Sequence, residues 1–357
     1  MALEITRSCN LYCSHCRASS TSHQYPDELT TREYFTLIDS ILDAGKPIFI
    51  ITGGEPLLRD DFFDIARYAA DRGLRVAVGS NGTLITRDVA SRMKEIPVSR
   101  IGISVDFPIR ALHDQFRGMT GAFDAAMTGI TNAINSGIEI QVDSTITKLN
   151  APYLQELLNL ALDTGAVAFH PFLLVPTGRG KGLEQQELSP QEYERILNWI
   201  YDKQVEMGER IFFKPTDAPH YMRVMLQRGD TGSIMKSHGH GAMNSITRGC
   251  LGGSGFCFIS HVGRVQACGY LDVEAGNIRK NSFSEIWRNS PLFNSLRDYS
   301  LVKGKCGACE YVSVCGGCRA RAYEATGDYL AEEPYCIYQP AGLQAHSACP
   351  LTEQNKK

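Results

Sequence analysis

Glu4-Ile5-Thr6-Arg7-Ser8-Cys9-Asn10-Leu11-Tyr12-Cys13-Ser14-His15-Cys16 places three cysteines at x3 and x2 spacing directly after a short apolar run, and Gly53-Gly54-Glu55-Pro56 follows the next apolar run. Four cysteines are the usual full ligand set of a [4Fe-4S] cluster, so three thiolates leave one iron without a protein ligand. An iron with an open position binds a small molecule rather than only passing electrons. Taken alone, the triad also admits a three-cysteine zinc site or scattered buried thiols.

Outward from that stretch, strand-like runs at 3–6, 47–52, 74–79, 100–105, 138–147 and 167–175 alternate with helix-like stretches at 31–44, 61–72, 86–94, 121–136, 152–164 and 189–207. The apolar runs lack strict polar alternation, as expected of strands buried on both faces of a parallel sheet. Thr30 or Thr31 can cap the first helix and Gly45 can stop it; Ser189-Pro190 with Glu192 reads as a capping-box start. Six βα units in order predict a parallel sheet with helices outside it, too short to close an eight-stranded barrel. The predicted fold is therefore α/β, a partial (β/α)6 barrel over 1–210. Functional residues of such folds gather on loops at the C-terminal strand ends. Both motifs quoted above fall on such loops.

The 357 residues are 43% hydrophobic and 21% charged, with a formal net charge of -3. That charge points to no polyanion such as nucleic acid. No apolar run approaches about 18 residues, and no basic segment leads into an apolar core at the N-terminus, so neither a membrane span nor a secretion signal is expected. The expected location is the cytoplasm. Twelve cysteines in such a chain read as metal ligands rather than disulfides. Three stand in the first sixteen residues, nine at 250 or beyond, and none between. Residues 211–249 read as a bridge rich in Gly, His and Met, 250–350 as a small cysteine-rich domain, and 351–357 as a polar tail. Within that domain a hairpin is expected over 258–260 and 265–270, turning at Val262-Gly263, followed by a helix over 284–295. Loops this rich in cysteine bury little apolar surface, so metal is expected to hold them together.

The CxxxCxxC loop after the first strand, paired with Gly53-Gly54-Glu55-Pro56, resembles the radical S-adenosylmethionine (SAM) family. The resemblance implies a [4Fe-4S] cluster on Cys9, Cys13 and Cys16 whose open iron chelates SAM. It implies that Gly53, Gly54, Glu55 and Pro56 form the motif holding the methionine amino group, the glycines admitting the cofactor closely. Ser80 and Asn81, before Gly82, would contact the sugar or carboxylate. Ser104 and Asp106 end the fourth strand, with Ser104 toward the SAM carboxylate or ribose. Arg117 would bind the carboxylate, for which a guanidinium fork is suited. Val175, with Leu174, would cover the adenine. His15 departs from the more common aromatic before the third cysteine; its ring is planar and can still stack.

Cys250-x12-Gly263-x4-Cys268, Cys306-x2-Cys309-x5-Cys315-x2-Cys318 and Cys336 resemble the SPASM extension of the same family, with x2 where x3 is usual between the last two clustered cysteines. Carried over, the family's pairing gives Cys250, Cys257, Cys268 and Cys318 to one auxiliary [4Fe-4S] cluster. It gives Cys306, Cys309, Cys315 and Cys336 to a second, so one or two auxiliary clusters are expected. Cys349 is left over. By themselves, the CxxC pairs over Cys306–Cys318 favour a zinc ribbon.

The stretches Glu4 to Ser19, Phe116-Arg117-Gly118, Leu173-Leu174-Val175 and Gly327 to Cys336 are similar to the tetrapyrrole-modifying members: the heme b synthase, deacetylase and heme d1 group. This implies oxidative decarboxylation of two propionates of iron-coproporphyrin III to vinyl groups, giving heme b. It implies a low-potential electron donor of flavodoxin or ferredoxin type. Arg17, Arg110, Arg179 and Lys181 are candidate propionate clamps, and His170, His220, His238 or His240 a candidate axial ligand. Two other classes stay open: a peptide-modifying enzyme such as a sulfatase maturase, and a non-catalytic metal-binding scaffold.

Overall fold

A computed structural model describes residues 1–230, 243 and 247–343. His238, His240, Cys349, residues 231–242 and 244–246 of the expected bridge and the 351–357 tail lie outside the described residues. The first half runs β1 (Ala2–Glu4), α1 (Thr31–Leu42), β2 (Ile48–Thr52), α2 (Phe62–Asp71), β3 (Arg75–Ser80), α3 (Arg87–Glu95), β4 (Arg100–Ser104), α4 (Arg110–Arg117), α5 (Ala122–Asn135) and β5 (Glu139–Ile146). It continues through α6 (Leu154–Asp163), β6 (Ala168–Leu173), α7 (Pro190–Met207), β7 (Phe212–Phe213) and α8 (Tyr221–Gln227). The remainder holds β8 (Phe258–Ile259), β9 (Arg264–Gln266), β10 (Glu274–Asn277), α9 (Phe283–Asn289), α10 (Pro291–Arg297), α11 (Gly304–Gly307) and α12 (Arg319–Thr326).

Strands β1 to β6 are parallel neighbours in chain order. Local signals set the helices between them. Thr30 caps α1 in a reciprocal box with Glu33, and Ser189 caps α7 in the same way with Glu192. Each box satisfies two backbone donors that a helix start leaves unpaired. The register aligns the strand exits: Glu4 stands beside Thr52, and Ser104 beside Asp143. The loops after β1, β2, β3, β4 and β6 therefore leave one rim together.

Three features depart from the sequence reading. Among the described residues four further strands extend the sheet of six expected ones, in the order β10-β9-β8-β1-β2-β3-β4-β5-β6-β7. The cysteine-rich hairpin joins it through parallel pairing of β8 with β1, and β7 adds a parallel strand to β6 inside the expected bridge. One apolar core accordingly runs through both parts, with Leu3, Ile51 and Phe169 in the same cluster as Ile259, Val265 and Phe293. Burying each such side chain contributes about 1.5–3 kcal/mol, so apolar burial as well as metal holds the C-terminal part. The helix expected over 284–295 is two helices. Ser290 is extended (φ -59°, ψ 126°) and Pro291 starts α10, because a proline ring disfavours helical geometry in the residue before it. Helix α4, unforeseen, ends at Gly118 in the left-handed region (φ 69°).

Candidate active site

The loop that carries the first three cysteines is clamped from three sides. From β2, Gly54 N donates to Thr6 O (2.7 Å) and Glu55 N to Ser8 O (2.8 Å). At the end of α4, Arg117 O accepts from Tyr12 N (3.1 Å) and Phe116 O from Ser14 N (3.0 Å). After β6, Arg179 N donates to Cys16 O (3.0 Å), and its guanidinium donates to Cys13 O (2.9 Å) and Ser20 O (2.6 Å). The His15 ring stacks on Phe116 with centroids 4.5 Å apart. Burial holds that imidazole down at about 4, so it is neutral.

Cys9, Cys13 and Cys16 open into one cavity, about 1090 Å³ including its open mouth. The expected residues Gly53, Gly54, Ser80, Asn81, Ser104, Arg117, Leu174, Val175, Arg17 and Arg179 also line it. Each sulfur of the triad accepts an N–H: Cys9 from Leu11 (3.4 Å), Cys16 from Ser20 (3.3 Å) and Cys13 from the Arg117 guanidinium (3.8 Å). Donors aimed at sulfur suit thiolates that ligate iron. Burial pushes the free Cys9 thiol up to about 12 and raises Cys13, so metal binding must displace protons. Among the described residues no three Cys, His, Asp or Glu side chains are gathered as around a single ion. Three thiols facing one cavity suit a [4Fe-4S] cluster, which takes one thiolate per iron and would leave its fourth iron open.

Several expected residues do something other than the sequence suggested. A Cβ on Gly54 would lie 2.2 Å from Ser8 O, and one on Gly53 2.6 Å from Thr6 O, so these glycines first of all admit the cysteine loop. Glu55 is fully buried and does not line the cavity. Its carboxylate accepts from Ser80 Oγ (2.9 Å), Asn81 N (2.8 Å) and Leu57 N (3.3 Å), and burial pushes it up to about 7. It therefore joins the exits of β2 and β3. Pro56 is buried at the start of the turn beside it. Asp106 is also behind the wall, accepting from Arg117 Nε (2.6 Å) and Thr145 N (2.8 Å). Burial alone would raise Asp106, but Arg117 holds it below the ordinary carboxylate range.

Of the four candidate clamps, only Arg17 and Arg179 reach the cavity. Arg17 donates to Glu4 (2.9 Å) and Gly269 O (3.2 Å), and Arg179 keeps one buried nitrogen without a partner. Arg110 and Lys181 have side chains 71% and 61% exposed and pair with Asp124 and Glu324. His170 is buried in β6 and does not line the cavity.

Sequence reading missed Asp143 and Tyr270, both of which line the cavity. Asp143 needs the bare backbone of Gly102, where a Cβ would sit 2.5 Å from Oδ2. Burial pushes its carboxyl up to about 7. The signal was Gln141, Asp143 and Thr145 alternating on a strand otherwise read as apolar. Tyr270 arrives from the C-terminal part and leaves no local signal.

That part is fastened at two points. Buried Glu4 accepts from Arg17 and faces His261 Nδ1 at 2.7 Å. Buried Arg321 donates to Leu173 O (3.2 Å), Leu174 O (3.0 Å) and Asp217 O (3.0 Å). Cys306, Cys309, Cys315 and Cys336 line a second cavity of about 410 Å³ with His220, Arg223 and Lys305. Cys250 lies close enough to Cys268 and Cys318 to raise both thiols further, after burial, while Cys257 lies against the Met1 amino group.

The Radical SAM superfamily model matches residues 3–161, and an iron-sulfur cluster-binding domain model matches residues 250–319. The AdoMet-dependent heme synthase of Nitratidesulfovibrio vulgaris is 49% identical over 340 residues, which cover 95% of this chain and 92% of that protein. The AdoMet-dependent heme synthase of Methanosarcina barkeri is 51% identical over 343 residues, covering 95% and 96%. The fold is similar to Streptococcus suis SuiB bound to S-adenosylmethionine, with a TM-score of 0.73 at 15% identity over 94% of this chain and 76% of that one.

Proposed function

Since the chain belongs to the radical SAM superfamily, we propose that it makes heme b by SAM-dependent oxidative decarboxylation of two propionates of iron-coproporphyrin III. The observation that carries this reading is one cavity holding three thiols, an apolar wall and three arginines, in a chain about half identical to heme synthases along almost its whole length. SAM on a reduced [4Fe-4S] cluster supplies a 5′-deoxyadenosyl radical, and the protein supplies position and exclusion of water.

Cys9, Cys13 and Cys16 would hold that cluster. Ser104, Asn81 and Arg117 offer polar groups to the amino acid and ribose of SAM, and Leu174 and Val175 an apolar surface to its adenine. The free Arg179 nitrogen and Arg17 are the propionate partners. Each side chain that becomes vinyl gives up one hydrogen atom to the radical, then carbon dioxide and one electron. The two auxiliary cysteine sets, Cys250, Cys257, Cys268 and Cys318 with Cys306, Cys309, Cys315 and Cys336, are read as two clusters that take such electrons away. A flavodoxin or ferredoxin is the expected electron source. Among the described residues no helix is long and apolar enough to cross a membrane.

Substrate deuterated at the propionate carbon next to the pyrrole tests the reading. Deuterium should appear in 5′-deoxyadenosine under anaerobic turnover; 5′-deoxyadenosine formed without deuterium would exclude hydrogen abstraction at that carbon.

A further inference from the structure

The second cavity contains a polar side chain that nothing among the described residues satisfies. His220 is only 1% exposed and lines the cavity formed by Cys306, Cys309, Cys315 and Cys336. Among the described residues neither of its ring nitrogens has a hydrogen-bond partner. A buried polar group left unpaired costs about 1–3 kcal/mol, so native structures rarely keep one without a reason.

Of the other polar residues around the cavity, Arg223 keeps its Nε without a partner among the described residues, while its remaining nitrogens, Lys305 and Glu333 are engaged elsewhere. Arg223 donates to both Glu194 oxygens (2.8 and 2.5 Å) and to Gln227 (2.7 Å). Lys305 Nζ donates to Cys336 O (2.6 Å). Glu333 accepts from Cys318 N (2.8 Å) and Tyr335 N (3.2 Å). His220 is also held in place. Its ring lies 4.5 Å from that of Tyr193, whose hydroxyl is tied to Asp217 O (2.8 Å).

We propose that His220 donates its ring N–H to a sulfur of the iron–sulfur cluster bound by Cys306, Cys309, Cys315 and Cys336, and so raises that cluster's reduction potential. The inference rests on the reading that these four cysteines hold a cluster. A hydrogen bond to sulfur stabilises the more negative, reduced state, and such bonds are among the determinants of cluster potential. A raised potential makes this cluster the better acceptor for the electron that each decarboxylation releases. The ring is a positioning and tuning group. It lines the second cavity and not the one into which Cys9, Cys13 and Cys16 open.

The test is a redox titration of the anaerobically isolated holoenzyme, followed by EPR, in a Cys9→Ala/Cys13→Ala/Cys16→Ala background that removes the first cluster's signal. His220→Phe keeps the ring stack and removes the donor. It should leave the iron content unchanged and lower the reduced-to-oxidised ratio of one cluster about tenfold at fixed potential, equivalent to about 59 mV for one electron. His220→Gln, which restores an N–H, should recover most of that shift. An unchanged midpoint in His220→Phe with full iron would overturn the proposal. So would loss of that cluster in both variants, which would make His220 a ligand or a structural support. Cys309→Ala separates the underlying reading: if it removes no EPR signal and no iron, there is no cluster here to tune.

Discussion

Gly54→Ala tests whether the glycine pair exists to seat the cysteine loop. A Cβ there would meet Ser8 O at 2.2 Å and Arg7 O at 2.7 Å, whereas ordinary contact begins at 3.4 Å, so the loop must retreat by about 1.2 Å, the shortfall from 2.2 to 3.4 Å. Both obstacles are backbone atoms, which cannot rotate aside as a side chain would. Retreat also stretches Gly54 N to Thr6 O and Glu55 N to Ser8 O, the two bonds that fix the chain just before Cys9. A misplacement of about 1 Å at a reacting centre costs on the order of a hundredfold in rate. Gly54→Ala should therefore lower SAM-dependent 5′-deoxyadenosine formation about a hundredfold. Iron should fall by the share of one cluster, with the auxiliary signals retained. Gly182→Ala is the control, since a Cβ there meets nothing within 4 Å. Wild-type iron and wild-type 5′-deoxyadenosine formation in Gly54→Ala would show that the cysteine loop does not depend on a bare backbone at Gly54.

Three further outcomes follow from the same geometry. Arg17→Met leaves the fully buried Glu4 carboxylate with only His261 and the longer Arg7 contact, and should destabilise the protein by about 1.5–3 kcal/mol in anaerobic urea unfolding. Although burial opposes it, Arg17 and His261 hold Glu4 at about 2, below its ordinary 4.5. The stabilisation is thus present above about 4.5 and lost as pH falls toward 2, so the Arg17→Met deficit should be the same at pH 6 and pH 8; a deficit that changes between them would contradict the pairing. Asp143, raised by burial to about 7, gains its charge in the cavity as pH rises through neutrality. The KM for an anionic porphyrin should rise above pH 7 and lose that rise in Asp143→Asn, as steady-state assays would show. Arg110→Ala should change stability by less than about 0.5 kcal/mol and leave porphyrin affinity unaltered, because its pair with Asp124 is exposed on both sides. Weakened porphyrin binding would return Arg110 to the site.

The βα order was legible because its signals are local. Apolar runs and the Thr30–Glu33 and Ser189–Glu192 boxes are each decided within a few residues. The extension of the sheet was not, because β8 pairs with β1 across most of the chain and both strands are only two or three residues long. The same limit applied to charge. Arg17 and Arg179 read as free cations, since nothing in sequence shows that Gly269, Cys13 and Ser20 turn their carbonyls toward them. Gly53 and Gly54 were legible as positions needing a bare backbone, but the group that approaches them is the cysteine loop. Pro291 could have split its helix on sight; Arg321, which fastens the C-terminal part to the exit of β6, could not have been found before the fold was known.

Mass spectrometry of the tetrapyrrole after anaerobic incubation with SAM, a low-potential reductant and iron-coproporphyrin III bears most directly on the account. The predicted product has lost carbon dioxide and two hydrogens from each of two side chains, with one 5′-deoxyadenosine formed per side chain. Iron-coproporphyrin III recovered unaltered, while 5′-deoxyadenosine still accumulates, would contradict it.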